Sequence, residues 1–393
     1  MTTDNIVQFP SAARVSNAGR RLIPSKLTGA RVLMRLNQSE LAREVGITRQ
    51  AISAFERGEK APDPTTMDRI SEALKQPISF FISESLPVFG NESPRFFRAF
   101  GPKTKKRNLM CDELGKTLVQ TAKFFDEFIN YPSIDVPAYS AQDESGRYSG
   151  EEIECAAEEC RKAWGLGVGP ISNVISLLES KGIIISRYEV DNENIEAFSF
   201  WNGERPFIFM ASNKDSAVRA RFDLAHELGH LVLHRWVGVD EIEDPKTLKL
   251  IEAEANRFAG AFLLPRKSFP NEVFSPRLDG FISLKERWKV AIQAMVYRCK
   301  NLGVFDEDQV TNLYKQISYR KMRKREPLDD VIPFEKPKLL QRAVDLLLDA
   351  NRFSADEIVT DLQFNREMIE RLCGLQENAL KTSSNIDPKP TLK

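Results

Sequence analysis

The sequence predicts an α+β protein that is mostly helical, with one small β-sheet between two helical regions. Residues from Leu27 to Ile82 carry apolar side chains at helical spacing and show no strand-like alternation. Three later runs have the length and composition of short strands: residues 182–190, 195–203 and 205–212. An Asn-Gly pair at 202–203 predicts a hairpin between the last two, and helical patterns follow them.

The length of 393 residues exceeds what one hydrophobic core usually spans, so several domains are expected. Changes in periodicity, a proline-containing stretch and polar ends give the boundaries. They predict a flexible arm (1–22), a helical domain (23–83), a linker (84–107), a domain with the sheet (108–270), a helical C-terminal region (271–375) and a disordered tail (376–393).

Composition narrows the class of protein. Basic and acidic residues both number 56, so the chain as a whole is not a basic nucleic-acid binder, although a local basic patch is compatible with this balance. Five widely spaced cysteines without a CxxC pair indicate reduced thiols. The N-terminus lacks a signal-peptide core and no apolar run approaches 18 residues, so we expect a cytoplasmic protein without membrane contact.

Residues 36–74 predict a helix-turn-helix. Gly46 can take the left-handed conformation that ends the first short helix, and Thr48 can cap the second. A helix of this kind can enter the major groove of DNA, where glutamine pairs with adenine and arginine with guanine. The second helix leaves a polar face for such contacts: Arg49, Gln50, Ser53 and Arg57.

The charge of this segment supports the DNA interpretation, because Arg20 to Lys60 contains nine basic and four acidic residues, a net charge of +5. A helical bundle for dimerisation or protein contact is the alternative.

"SELAREVGITRQAISAFERGEKAPDPTTMDRISEAL" also resembles the XRE (Cro/CI-like) repressor family. The resemblance implies a five-helix, lambda-repressor-like domain that binds a palindromic double-stranded DNA operator as a homodimer. It also implies that Gln38 contacts phosphate and that Thr48, Arg49, Gln50 and Ser53 face the groove.

His226-Glu227-Leu228-Gly229-His230 fits the metal-binding pattern HExxH. On a helix, residues four apart share a face, so His226 and His230 can hold one zinc ion while Glu227 acts as a general base towards a water. The alternative is a buried helix whose polar residues are satisfied by hydrogen bonds. His234 lies roughly 12 Å along the helix from His226, so it is expected to support a ligand, face substrate or be purely structural. Leu233 and Trp236 occupy the positions where the extended three-histidine motif needs glycine and histidine.

The third metal ligand is predicted on the helix within 250–265. Glu254 shares a side with Ile251 and Phe258 and so points inward, where a carboxylate needs a partner such as zinc. Glu252 lies about 200° away around the helix and is expected to be solvated. A site of two histidines and one glutamate with a free position is a hydrolytic arrangement.

"RARFDLAHELGHLVLH", followed by "EAEANRFAGAFLLP", resembles the ImmA/IrrE family of metallopeptidases, and the similarity extends over about residues 90–330. It implies a zincin-like fold and a zinc-dependent endopeptidase that cuts a repressor protein. It assigns His226, His230 and Glu254 as ligands and Glu227 as catalytic base. In characterised pairs the protease and the repressor are separate chains, whereas here both modules share one.

Three further expectations concern two arginines, two strands and the function of the whole chain. Arg219 and Arg221 either stabilise an oxyanion at the site or are structural. The strand pair 195–212 either offers an edge to an extended substrate or is plain sheet core. The chain as a whole is predicted to be a DNA-binding regulator whose zinc endopeptidase cleaves a protein such as a repressor or antitoxin. The alternatives are a repressor whose zinc domain is structural or ligand-sensing, and self-cleavage within 84–107.

Overall fold

The computed structural model describes seven stretches of the chain: residues 21–83, 102–141, 146–188, 197–211, 216–238, 241–242 and 244–381, with only the backbone described at 102–107. These stretches divide into two compact units. Among the described residues, unit 1 comprises 21–83 together with Gln363–Asn365, and unit 2 comprises the remainder.

Unit 1 contains five helices between residues 21 and 83. They are α1 (Pro24–Leu33), α2 (Gln38–Val45), α3 (Arg49–Glu56), α4 (Pro64–Ala73) and α5 (Ile78–Ile82). Each contributes a fully buried side chain to one core: Leu27, Leu41, Ile52, Ile70 and Phe81. The predicted five-helix domain is therefore confirmed.

The turn between α2 and α3 follows its local sequence signals. Gly46 ends α2 with a φ of +72°, and Thr48 accepts a hydrogen bond from the Ala51 amide at 3.2 Å, which caps α3. Asn37 begins α2 by a reciprocal capping box with Glu40, so Gln38 lies in the first turn of the helix.

Unit 2 surrounds a small sheet with helices. Its elements are α6 (Pro102–Asp126), α7 (Gly150–Ala163), α8 (Val174–Ser180), β1 (Ile184–Tyr188), β2 (Ala197–Asn202), β3 (Arg205–Ala211), α9 (Ala217–Leu233), α10 (Pro245–Leu263), a 3₁₀ turn (Phe269–Glu272), α11 (Leu278–Trp288), α12 (Ile292–Asn301), α13 (Glu307–Tyr319), α14 (Leu339–Asp349), α15 (Ala355–Leu362) and α16 (Arg366–Cys373).

The sheet has the order β1-β3-β2, with β1 parallel and β2 antiparallel to β3. Asn202 pairs with Arg205, which closes the predicted hairpin, and Gly203 takes a φ of +59° within its turn. Strand β2 therefore forms one edge of the described sheet and packs against α9.

Three predicted boundaries differ from the structure. A single buried cluster joins Phe258 of α10 to Phe281 and Trp288 of α11, so residue 270 is not the edge of a compact unit. Helix α6 begins at Pro102, inside the predicted linker. Leu380 is fully buried and its amide donates to the Glu370 carboxylate, so the disordered tail does not begin at 376. Residues 1–20, 84–101 and 382–393 of the predicted arm, linker and tail lie outside the described residues.

Candidate metal centre

Helix α9 places its histidines in a row along one face. His226 and His230 are one turn apart, and their Nε2 atoms lie 3.0 Å from each other. His234 follows at the C-terminal cap of the same helix. All three side chains are buried, so their nitrogen atoms need partners within the protein.

Glu252 of α10 completes a three-residue cluster with two of these histidines. Its Oε2 lies 3.4 Å from His226 Nε2, and its Oε1 lies 3.4 Å from His230 Nε2. Among the described residues, this is the one group of at least three histidine, cysteine or carboxylate side chains whose donor atoms all lie within 4.8 Å of one another.

The spacing of these donor atoms fits one small divalent ion. Nitrogen and oxygen ligands about 2.0–2.2 Å from a tetrahedral zinc lie roughly 3.3–3.5 Å apart. The observed separations of 3.0 and 3.4 Å are close to that range, and the donor types are those of hydrolytic zinc sites. Glu252 is 17% exposed, so the cluster lies at the rim of the contact between α9 and α10.

Glu254, the predicted third ligand, is not brought to the histidine pair. It points inward as expected, but its Oε2 lies 2.8 Å from His234 Nε2, and its Oε1 accepts a hydrogen bond from the Tyr148 amide at 3.1 Å. Glu252, which was expected to be solvated, takes the position beside His226 and His230. Glu252 lies at the partly exposed edge of the contact between α9 and α10, whereas Glu254 lies further inside it, and helical periodicity does not tell which of the two positions faces the histidine pair.

Hydrogen bonds at the Nδ1 atoms set the orientation of both histidines of the cluster. His226 Nδ1 lies 3.1 Å from the amide oxygen of Asn256, which can only accept, so His226 donates and keeps a lone pair on Nε2. His230 Nδ1 lies 3.0 Å from His234 Nδ1. Burial lowers the pKa of His234 to about 4, so this ring is neutral near pH 7.

Glu227 lies between α9 and the sheet rather than in solvent. Its Oε2 accepts a hydrogen bond of 2.7 Å from the hydroxyl of Ser199 on β2, and the carboxylate is almost completely buried. Ser199 and Asn256 were not predicted from the sequence. A serine inside the otherwise apolar run 197–201 was the available signal, because a polar side chain in a buried strand needs a partner.

The two candidate oxyanion arginines lie in other contacts. Arg219 donates to the carbonyl of Arg323 at 2.7 Å. Arg221 is buried, forms an ion pair with Glu335 and donates to the carbonyl of Ile171. These contacts are the ones that the structural interpretation of Arg219 and Arg221 predicts.

Gly229 allows α9 and α10 to approach each other closely beside the cluster. A Cβ at this position would lie 3.2 Å from the Cα and carbonyl oxygen of Ala255 and from Phe258 Cβ.

We expect Gly229→Val to destabilise the fold by about 1–3 kcal/mol through overpacking and to weaken metal binding by moving Glu252 away from α9. Denaturant unfolding and zinc titration measure both effects. Gly280→Val is the control, because a Cβ there meets nothing within 4 Å; equal behaviour of the two variants would contradict this role.

In unit 1, α3 presents part of its predicted DNA-binding face. Thr48, Arg49 and Gln50 are exposed, and Ser53 is half-buried. Two other predicted contacts are held by internal partners. Gln38 Nε2 donates to Glu56 Oε2 at 2.7 Å, and the exposed guanidinium of Arg57 pairs with Glu59 and Ser53.

Comparison with known proteins identifies the class to which this architecture belongs: a helix-turn-helix regulator that carries a protease-like domain. Residues 30–81 match the Helix-turn-helix family model HTH_3, and residues 178–300 match Peptidase_M78, the IrrE N-terminal-like domain. The chain therefore joins an XRE-type helix-turn-helix domain to an ImmA/IrrE domain, and the second match spans all the cluster residues. No curated protein matched the chain. In the described part of the chain, no helix has both the length and the apolar character needed to cross a membrane.

Proposed function

We propose that this protein is a DNA-binding transcriptional regulator whose ImmA/IrrE domain is a zinc-dependent endopeptidase. One observation carries the proposal: His226, His230 and Glu252 converge, and the neighbouring Glu227 accepts a hydrogen bond from Ser199 of β2. Structural zinc sites are usually closed by four protein ligands, whereas hydrolytic sites use three and keep a position for water or substrate. The partly exposed position of Glu252 is consistent with the second kind of site.

The chemistry divides between the ion and the protein. A zinc ion held by these three residues would supply Lewis acidity and lower the pKa of water at the site. The protein supplies Glu227, whose buried carboxylate can accept a proton from that water and return it to the leaving amine. The hydrogen bond from Ser199 keeps the carboxylate in one orientation during both transfers.

The substrate is proposed to be a protein segment in extended conformation. Strand β2 pairs with β3 along one side only, among the described strands, and its residue Ser199 contacts the catalytic carboxylate. A peptide that adds to the other side of β2 would form main-chain hydrogen bonds and pass close to Glu227. A repressor or antitoxin-like protein is the proposed class of substrate.

Removal of the metal tests the peptidase proposal. Zinc-loaded protein and protein stripped by a chelator are incubated with host lysate, and new protein N-termini are identified by mass spectrometry. We expect N-termini that appear only with the zinc-loaded protein, and the intact mass of the chain shows whether it cuts itself within 84–107. Identical sets of N-termini would instead favour a regulator whose metal domain is structural or senses a ligand.

Unit 1 is proposed to bind a palindromic operator as a homodimer through α3. Arg49→Ala and Gln50→Ala are each expected to weaken binding by about 1–3 kcal/mol, the usual value of a bidentate contact with a base. Fluorescence anisotropy with a duplex selected from random sequences by the wild type measures the effect. Lys300→Ala, which removes an exposed positive charge from unit 2, is the control. Unchanged affinity in both α3 variants would contradict this recognition surface.

A further inference from the structure

We propose that Glu254 and His234 are positioning residues that fix the ring of His230 for metal binding. The inference rests on the proposed zinc site and adds two residues to it. Neither residue belongs to the three-residue cluster itself. Instead, they form a buried hydrogen-bonded chain that ends at His230.

The hydrogen bonds that link His230, His234 and Glu254 run in one direction, from donor to acceptor. Glu254 Oε2 lies 2.8 Å from His234 Nε2, and an ionised carboxylate can only accept, so the proton lies on His234 Nε2. With its proton on Nε2, His234 offers Nδ1 as an acceptor to His230 Nδ1, 3.0 Å away. His230 consequently keeps its proton on Nδ1 and its lone pair on Nε2, the atom that faces Glu252.

Other hydrogen bonds hold the Glu254 end of this hydrogen-bonded row in place. Glu254 Oε1 accepts a hydrogen bond from the Tyr148 amide at 3.1 Å, and Arg147 Nη1 lies 3.7 Å from Oε2. The hydroxyl of Tyr148 lies 2.6 Å from the carbonyl oxygen of Leu233, at the end of α9. The carboxylate is thus held relative to the same helix end that carries His234, so it cannot rotate away from the imidazole.

The two histidines of the cluster are therefore oriented by different hydrogen-bond partners. Asn256 holds His226, and the pair His234–Glu254 holds His230. Such outer partners fix the tautomer and orientation of a ligating histidine, and their loss typically costs about 10–100-fold in metal affinity. A purely structural pairing would stabilise the fold without any effect on metal affinity.

Zinc affinity of the full chain, measured by competition with a chromophoric chelator at constant pH, tests the inference. His234→Leu removes both hydrogen bonds and is expected to raise the Kd for zinc about 10–100-fold. His234→Gln can still accept from His230 and donate to Glu254, so it is expected to restore most of the affinity. Ser186→Ala, which removes another buried hydrogen bond of unit 2, to the carbonyl of Leu372, is the matched control and should leave the Kd unchanged.

The affinities of the variants distinguish failure of the positioning role from failure of the proposed zinc site. A Kd of His234→Leu within twofold of the wild type, while His226→Ala loses zinc, overturns the positioning role and leaves the proposed site intact. Wild-type affinity in His226→Ala overturns the proposed site itself. If His234→Leu does not fold, Glu254→Gln is judged by the same criterion, with thermal unfolding of the zinc-free proteins to confirm that they are folded.

Discussion

Glu252→Ala is expected to remove most of the affinity of the protein for zinc. Among the described residues, the Glu252 carboxylate is the one acidic group within 3.4 Å of both His226 Nε2 and His230 Nε2, and its loss leaves two protein ligands. The expected loss therefore exceeds the roughly 10–100-fold effect of an outer partner. Chelator competition gives the Kd, and metal analysis after gel filtration gives the zinc content.

Glu254→Ala is the matched comparison, because it removes the same side chain two residues along the same helix. It is expected to weaken zinc binding less than Glu252→Ala, since Glu254 acts through His234. The reverse order, with zinc retained in Glu252→Ala and lost in Glu254→Ala, would contradict the geometry of the cluster and restore the ligand set predicted from the sequence.

Glu227→Gln is expected to retain zinc and to lose cleavage by about 10²–10⁴-fold, the usual contribution of a general base. Glutamine has nearly the same shape and can still accept the hydrogen bond from Ser199, but it cannot take a proton from water. The rate is measured on a peptide that spans a cleavage site identified in the lysate experiment.

The control for this variant is Glu159→Gln, which makes the same chemical change at an exposed position of α7. It should cleave at the wild-type rate. Cleavage at that rate by Glu227→Gln would exclude the proposed base. Normal regulation of a target gene by Glu227→Gln would instead show that regulation does not require proteolysis.

Short sequence signals predicted the two turns whose conformation depends on neighbouring residues alone. Gly46 and Thr48 define the turn of the helix-turn-helix, and Asn202-Gly203 defines the hairpin, because conformation and capping at these positions depend on neighbouring residues. The boundary at 270 could not be predicted in this way. It depends on Trp288 packing into the same core as Phe258, although the two residues are distant in sequence.

In the candidate site, too, the sequence predicted the features that lie within one helix but not the contacts between distant elements. The HExxH pattern places His226 and His230 together because both belong to one helix. Helical periodicity also gave the inward direction of Glu254 correctly, but it carries no information on where the histidines of α9 lie relative to α10. Ser199 reaches Glu227 from a strand 28 residues earlier, so only the tertiary structure brings this pair together.

The most direct test is an anomalous difference map from crystals of the zinc-loaded protein, recorded on both sides of the zinc absorption edge. It should contain one strong peak about 2.0–2.2 Å from His226 Nε2, His230 Nε2 and a carboxylate oxygen of Glu252. His234 should lie outside that coordination sphere, with its ring between His230 and Glu254. A peak coordinated by His234 or Glu254 in place of these ligands, or no peak near His226, would contradict the proposed centre.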